Sequence, residues 1–317
     1  MQTITPELKA LLSQLSQHLQ ADTKPGNNPL LLEIWDAWIV ELDLPPQTKA
    51  GHYDYLRCQI AKSGNPLSDA TAWFIAANNS LAPSTYNRRL WLLNKMSDWA
   101  VAEGLLSVNP WLKIKPKRTK KEVVKPFSQE EATRIIAGFQ EKYPAWVPFT
   151  KFLFLSGCRM SEAIGLLWKH IDFVRGEICI CESLPLVIGG TGYERARKDT
   201  KTGSVRLLTM NAPLTELLRG IKLASVNTPE DGLVFTNPTG TNYIDSHNFR
   251  NRWIKVLKKA GIPYRRPHII RHSFASHAIE QGCPLTGVAY LLGHSDTRMV
   301  ATTYGHLINR PSLPNIL

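Results

Sequence analysis

Apolar positions recur at helical spacing along most of the chain. Leu8, Leu11, Leu12, Leu15 and Leu19 form a stripe over residues 6–20, and Pro25-Gly26-Asn27-Asn28 interrupts it. Residues 1–26 therefore read as a separate helical extension. A helix starting near Leu30 places Trp35, Trp38, Ile39 and Leu42 on one face, and Pro45-Pro46 ends that segment. Further helices are expected over about 48–62 and 69–78. The clearest pattern follows Pro83-Ser84, read as the N-cap: Leu90, Leu93, Ser97 and Ala100 share a face, and Gly104 stands where a C′ residue belongs.

Past residue 125 the pattern changes. Ser128-Gln129-Glu130-Glu131 is a capping-box signature. Trp146, Phe149, Phe152 and Leu153 mark a strongly apolar helix, Gly157 its stop, and a new helix starts around Met160. Residues 177–188 and 204–210 are rich in β-branched and apolar residues and read as two strands, joined by a long polar hairpin tip at 189–203. Gly189-Gly190-Thr191-Gly192 lacks the Lys-Ser/Thr pair of a P-loop and reads as a plain loop. Helices are then expected over 213–224, 245–260, 268–281, 284–292 and 296–304. The fold class is mainly α with a small antiparallel β-sheet.

Charge divides this scheme. Residues 113–125 (KIKPKRTKKEVVK) hold seven basic side chains and one acid, with Pro116 inside the run. Such density opposes packing, so the run reads as a basic linker between a helical domain (27–112) and a second domain (126–317). A length of 317 residues suits about two domains. The net charge of +12 favours a polyanionic partner, nucleic acid or an anionic membrane face. No stretch has the length and apolarity of a membrane span, and the start lacks the basic end and apolar block of a signal peptide. The five cysteines (58, 158, 179, 181 and 283) are scattered, as reduced thiols of a cytoplasmic protein would be. Cys179 and Cys181 should share a strand face, but two thiols alone are a poor metal site.

Four clusters can carry chemistry. In His268-Ile269-Ile270-Arg271, positions i and i+3 of a helix face one way, pairing a proton carrier with a phosphate-matching guanidinium. His294, after Gly293, sits at a helix junction, and Tyr304-Gly305 follows ten residues later. Arg159 comes straight after the Gly157 stop, with Glu162 placed to orient it. Lys201 lies at the hairpin tip. Singly, each fits an ordinary structural role. His268 and His272 have an i, i+4 ligand spacing, but no Glu follows the first His, so no zinc motif is read there; His272 is taken as supporting the cleft. Arg88 and Arg89 suit either a solvated face or a helix laid on a phosphate backbone.

The ordered set Arg159, Lys201, His268-x-x-Arg271, Gly293-His294, Tyr304 resembles the active site of the tyrosine recombinases, the phage-integrase family. SGCRMSE (156–162) is similar to that family's first arginine box, HIIRHSFAS (268–276) to its second, and LLGH (291–294) with Tyr304-Gly305-His306-Leu307 to its third box and nucleophile. STYNRRLWLLNKMSDWAVAEGLLSVNPW (84–111) is similar to its core-DNA-binding helical domain. Ile269 stands where many relatives carry Asp, and the hairpin is longer than in compact members, leaving Lys198 as an alternative to Lys201.

The resemblance implies a catalytic domain of the tyrosine recombinase type behind a core-DNA-binding domain. It implies Tyr304 as nucleophile, Arg159, Arg271 and His294 around the phosphate, His268 as proton acceptor and Lys201 as general acid. Glu162 would hold Arg159. Double-stranded DNA, a homotetramer on two sites and no cofactor or metal follow. Arg88, Arg89, Lys113, Lys115, Lys117, Arg118, Lys120 and Lys121 are the candidate DNA-contacting residues. The other readings weighed are a DNA-binding protein of this fold without strand exchange, a topoisomerase-like relaxer and, more remotely, a protein serving RNA or a membrane.

Overall fold

The structure is a computed structural model that describes residues 31–42, 44, 48–49, 53–63, 70–119, 125–187, 194–199, 205–225, 228–240 and 242–305. The expected extension over 1–26, the loop at 189–192, Lys120, Lys121 and Lys201 lie outside them. The chain divides into two compact units, with the boundary between residues 122 and 123.

The first unit is helical. Its elements are α1 (Leu31–Glu41), α2 (Asp54–Ser63), α3 (Ala70–Asn78) and α4 (Pro83–Ala102). Their apolar faces meet in one core containing Trp35, Trp38, Leu56, Phe74, Leu93 and Trp111. Two indoles are treated differently: Trp111 Nε1 donates to the Ser97 hydroxyl at 2.8 Å, whereas Trp35 Nε1 finds no partner among the described residues. The start of α4 differs from expectation. Pro83 is itself the first helical residue, and Ala82 precedes it without a side-chain cap. Proline's fixed φ and missing N–H suit that position, so no capping hydroxyl is needed. The basic run is not free of the unit either. The Asn87 side chain donates to the Lys117 carbonyl at 2.8 Å and accepts from its amide at 2.7 Å, tying residue 117 to α4.

The second unit surrounds an aromatic core. Helix α5 (Gln129–Lys142) opens with the full capping box of Ser128 and Glu131. Helices α6 (Val147–Ser156) and α7 (Met160–Gly165) follow. The expected single strand at 177–188 is broken. A three-stranded antiparallel sheet contains β1 (Ile171–Asp172), β2 (Glu177–Ile180) and β5 (Arg206–Thr209), in the order β1-β2-β5. The remainder pairs separately as a hairpin of β3 (Glu182–Ser183) and β4 (Lys198–Asp199). The alternation explains the first sheet: Ile178 and Ile180 of β2 face the core, as do Arg206 and Leu208 of β5.

Helices α8 (Ala212–Ala224), α9 (Ser246–Lys259), α10 (Ile269–Glu280), α11 (Leu285–Leu292) and α12 (Thr297–Tyr304) complete the unit. Phe127, Phe139, Phe149, Phe152, Phe249 and Trp253 fill the main core. A smaller core of Ala275, Val288, Leu292, Val300 and Tyr304 joins α10, α11 and α12. Helix α10 is central: it buries Ile270, Arg271, Ser273, Ala275, Ser276 and Ile279, on more than one face. No helix among the described residues is long and apolar enough to cross a membrane.

Candidate active site

Two left-handed glycines build the floor of the site. Gly157 (φ 61°) caps α6 and Gly293 (φ 63°) caps α11. A helix C-terminus leaves unpaired carbonyls carrying partial negative charge. Arg271 of α10, 4% exposed, satisfies both ends. Its Nη1 donates to the Gly157 carbonyl at 2.9 Å, and its Nη2 to the Leu292 carbonyl. The same Nη2 lies 3.2 Å from His294 Nε2. Burial, then the charge of Arg159, pushes Arg271 down to about 10, so it stays a cation at neutral pH.

Arg159 follows Gly157 closely and leads into α7. It donates to the Glu162 carboxylate through its amide at 2.9 Å and through Nη1 at 2.7 Å, and its Nη2 lies 3.4 Å from the Gly293 carbonyl. Its side chain remains 31% exposed. Glu162 also accepts from Arg206 Nη2 at 2.6 Å, and both side chains are 2% exposed. Arg206 Nε donates to the Leu291 carbonyl at 3.0 Å. A Cβ on Gly293 would stand 2.8 Å from Arg206 Nη1, so the glycine is required for close approach as well as for its φ. Arg206 went unmarked at the sequence level. Its one signal was register: it shares a strand face with Leu208 and Met210, an unusual place for an unpaired charge.

Tyr304, at the end of α12, is 3% exposed, and its hydroxyl is hydrogen-bonded to His272 Nδ1. Burial pushes the phenol up to about 12, against a lowering by Arg271. Burial, then His268 and Arg271, pushes His272 down to about 4. Burial, then Arg271 and Arg159, does the same to His294, also to about 4. His268 is lowered by desolvation and by Arg271 and Arg159.

The structure thus gathers Arg159, Glu162, Arg271, His272, His294 and Tyr304, with Arg206 added. His268 differs from expectation. It occupies the N-cap of α10 and is exposed, while Arg271 turns inward. Its ring meets that of His272 edge-on, centroids 5.1 Å apart, so the group touching Tyr304 is His272 rather than His268. Lys198, on β4, is exposed.

The candidate DNA-contacting residues separate in the same way. Arg88, Lys113, Lys115 and Arg118 are exposed. Arg89 points inward: it is 8% exposed, and its Nη1 donates to Asn78 at 2.6 Å and Gln59 at 2.8 Å. That engagement corrects its reading as a phosphate contact. Lys117 Nζ donates to the Asn79 carbonyl and lies 4.6 Å from the Tyr86 ring centroid, so it too is held within the unit.

The model of the Phage integrase family matches residues 125–310. A tyrosine recombinase XerC-like protein of Caldanaerobacter subterraneus subsp. tengcongensis is 32% identical over 319 residues, covering 88% of this chain and 78% of the relative. The tyrosine recombinase XerC of Xanthomonas campestris pv. campestris is 26% identical, covering 90% and 88%. Among solved structures, the Tn1549 transposon integrase in complex with a circular intermediate DNA is similar in fold (TM-score 0.73, 20% identity, 86% of this chain and 94% of that one).

Proposed function

The chain belongs to the phage integrase family of tyrosine recombinases, and from that premise we propose how its own side chains carry strand exchange. It is a site-specific DNA recombinase. The observation that carries the residue assignment is the contact of the Tyr304 hydroxyl with His272, on the same helix as Arg271.

Tyr304 Oη attacks the scissile phosphorus, giving a 3′-phosphotyrosyl link, and the 5′ oxygen departs. Arg159 and Arg271 hold the non-bridging oxygens and offset charge growing in the transition state, with His294 adding a hydrogen bond. His272 accepts the phenolic proton, and His268 supports its ring. Lys201 gives a proton to the departing 5′ oxygen, with Lys198 the alternative. A 5′-hydroxyl of the partner strand then reverses these steps, so one phosphodiester replaces another.

The order of events follows from two pKa shifts. Burial holds the Tyr304 phenol above its ordinary value and His272 below its own, and both shifts oppose full proton transfer before attack. The proton therefore leaves as the O–P bond forms, when the phenol oxygen loses basicity. Double-stranded DNA is the substrate, and exposed Arg88, Lys113, Lys115 and Arg118 neutralise its phosphates. Two sites exchanging strands require a homotetramer; a lambda integrase tetramer bound to a Holliday junction is of similar fold (TM-score 0.68, 13% identity, 98% of this chain and 89% of that one).

A suicide DNA duplex, nicked so that the cleaved end diffuses away, tests the assignment. The wild-type chain should accumulate a protein–DNA adduct. Tyr304→Phe should bind equally and form none. An adduct with Tyr304→Phe would overturn the choice of nucleophile, and a wild-type chain that binds its cognate site without forming adduct would leave DNA binding alone.

A further inference from the structure

A second cluster of reactive side chains lies on the sheet, apart from the site above. His170 ends the single helical turn Trp168–His170, and β1 begins at the next residue. Ile171 pairs with Ile178 of β2, and extending that register sets His170 opposite Cys179. Cys181 follows β2 directly, and Glu182 begins β3. All four residues are half-buried.

The distances are those of a ligand set. His170 Nε2 stands 3.5 Å from Cys181 Sγ. Ligand atoms of His170, Cys181 and Glu182 all lie within 4.8 Å of one another. A tetrahedral zinc bound at about 2.0–2.3 Å separates its ligand atoms by roughly 3.5 Å, which the imidazole–thiol pair already matches. Arg197 Nη1 pairs with Glu182 Oε2 at 2.6 Å, which holds the carboxylate beside the other two and leaves Oε1 without that ion pair. A thiol is a weak hydrogen-bond donor, so a simple thiol–imidazole contact gives little reason to gather three polar groups here.

We propose that His170 Nε2, Cys181 Sγ and Glu182 Oε1 form a zinc site with water in the fourth position. The mixed nitrogen, sulfur and oxygen set suits zinc and not magnesium or calcium, which take oxygen ligands. Zinc binding displaces the Cys181 proton and joins the helical turn before β1 to the strand end where the β3–β4 hairpin begins. The site is separate from the phosphate-binding residues.

The test uses the full chain without an affinity tag, stripped by a chelator and titrated with zinc against a chromophoric competitor. About one zinc per chain should bind. Zinc at a hundredfold excess over its Kd should raise Tm by roughly 5 °C. Cobalt(II) should give a thiolate charge-transfer band. Cys181→Ser and His170→Gln should each weaken zinc roughly a hundredfold, whereas Cys58→Ser, at an exposed thiol of the other unit, should change nothing. A wild-type chain that binds no zinc at micromolar concentrations, or a cobalt complex without the thiolate band, overturns the proposal even if a variant fails to fold. So does a folded Cys181→Ser that binds like wild type.

Discussion

Exchange of Glu162 for Gln removes one charge and nearly preserves shape. The carboxylate accepts from Arg206 at 2.6 Å and 3.3 Å and from the Arg159 side chain at 2.7 Å. Burial pushes the Glu162 carboxyl up, yet Arg206 and Arg159 together outweigh burial and hold it below the usual range. It is therefore ionised at pH 7, and its loss leaves the guanidinium of Arg206, 2% exposed, without a counter-ion. Removing one partner of a buried pair costs about 3–5 kcal/mol. In a unit of this size each kcal/mol lowers Tm by roughly 2–4 °C, so Glu162→Gln should unfold roughly 10 °C earlier by calorimetry. The double variant Glu162→Leu/Arg206→Met removes both members of the buried pair. Apolar replacement of a buried pair is neutral or stabilising, so its Tm should return to within a few degrees of wild type. Activity should not return with it, because Arg159 has lost its carboxylate. Adduct formation on the suicide duplex should stay roughly 100-fold low, the loss typical of a misplaced transition-state donor. A Glu162→Gln chain within about 2 °C of wild type, or a double variant that cleaves at the wild-type rate, refutes this reasoning.

Arg88→Ala should weaken DNA binding and reduce the slope of log K against log salt by about 0.9, with Tm unchanged. Arg89→Ala should instead lower stability by about 1–3 kcal/mol, since Asn78 and Gln59 lose their donor; equal salt slopes for the two variants would count against the division. His272 and His294, both near 4 in the fold, bind fewer protons than the unfolded chain at its ordinary 6.5. Stability should therefore fall as the pH drops from 6.5 toward 4, before Glu162 contributes below its ordinary 4.5. A urea midpoint that is flat between pH 7 and pH 5 would contradict those two values. If Lys201 protonates the leaving oxygen, Lys201→Ala should be rescued by a duplex with sulfur at the 5′ bridging position, since a thiolate leaves without a proton; rescue of Lys198→Ala instead would move the role to Lys198.

Much of this was legible because helix signals are local. The stop at Gly157, the capping box at Ser128 and Glu131, and the stripe of α4 each depend on residues within a few positions. The strand at 177–188 was read too long because β-branched composition does not reveal where a strand leaves one sheet for another. Arg159, Arg271, His294 and Tyr304 stand out in the sequence through motif order, and the fold brings them near one another. Which histidine meets the phenol does not stand out, since His268 and His272 differ by one helical turn and only the packing of α12 against α10 distinguishes them. Arg206 and Arg89 were missed or misread for one reason. A buried arginine is identified by its partners, and those partners lie 44 and 11 residues away.

The electrostatics of the site make sense only with an anion in view. Among the described residues three guanidiniums, those of Arg159, Arg206 and Arg271, face one carboxylate, that of Glu162, leaving two positive charges uncompensated there. Arg206 is neutralised deep in the fold, so the surplus belongs to Arg271 and to the partly exposed Arg159. Burial first, and that surplus after it, pushes His272 and His294 toward neutrality and draws Arg271 down. A phosphodiester carries the missing negative charge. Seated between the two guanidiniums it would relieve the repulsion and raise both histidines, making His272 a better base, while the same negative charge opposes ionisation of the phenol. The phenol therefore keeps its proton until its oxygen bonds to phosphorus, and away from DNA Tyr304 stays protonated and 3% exposed.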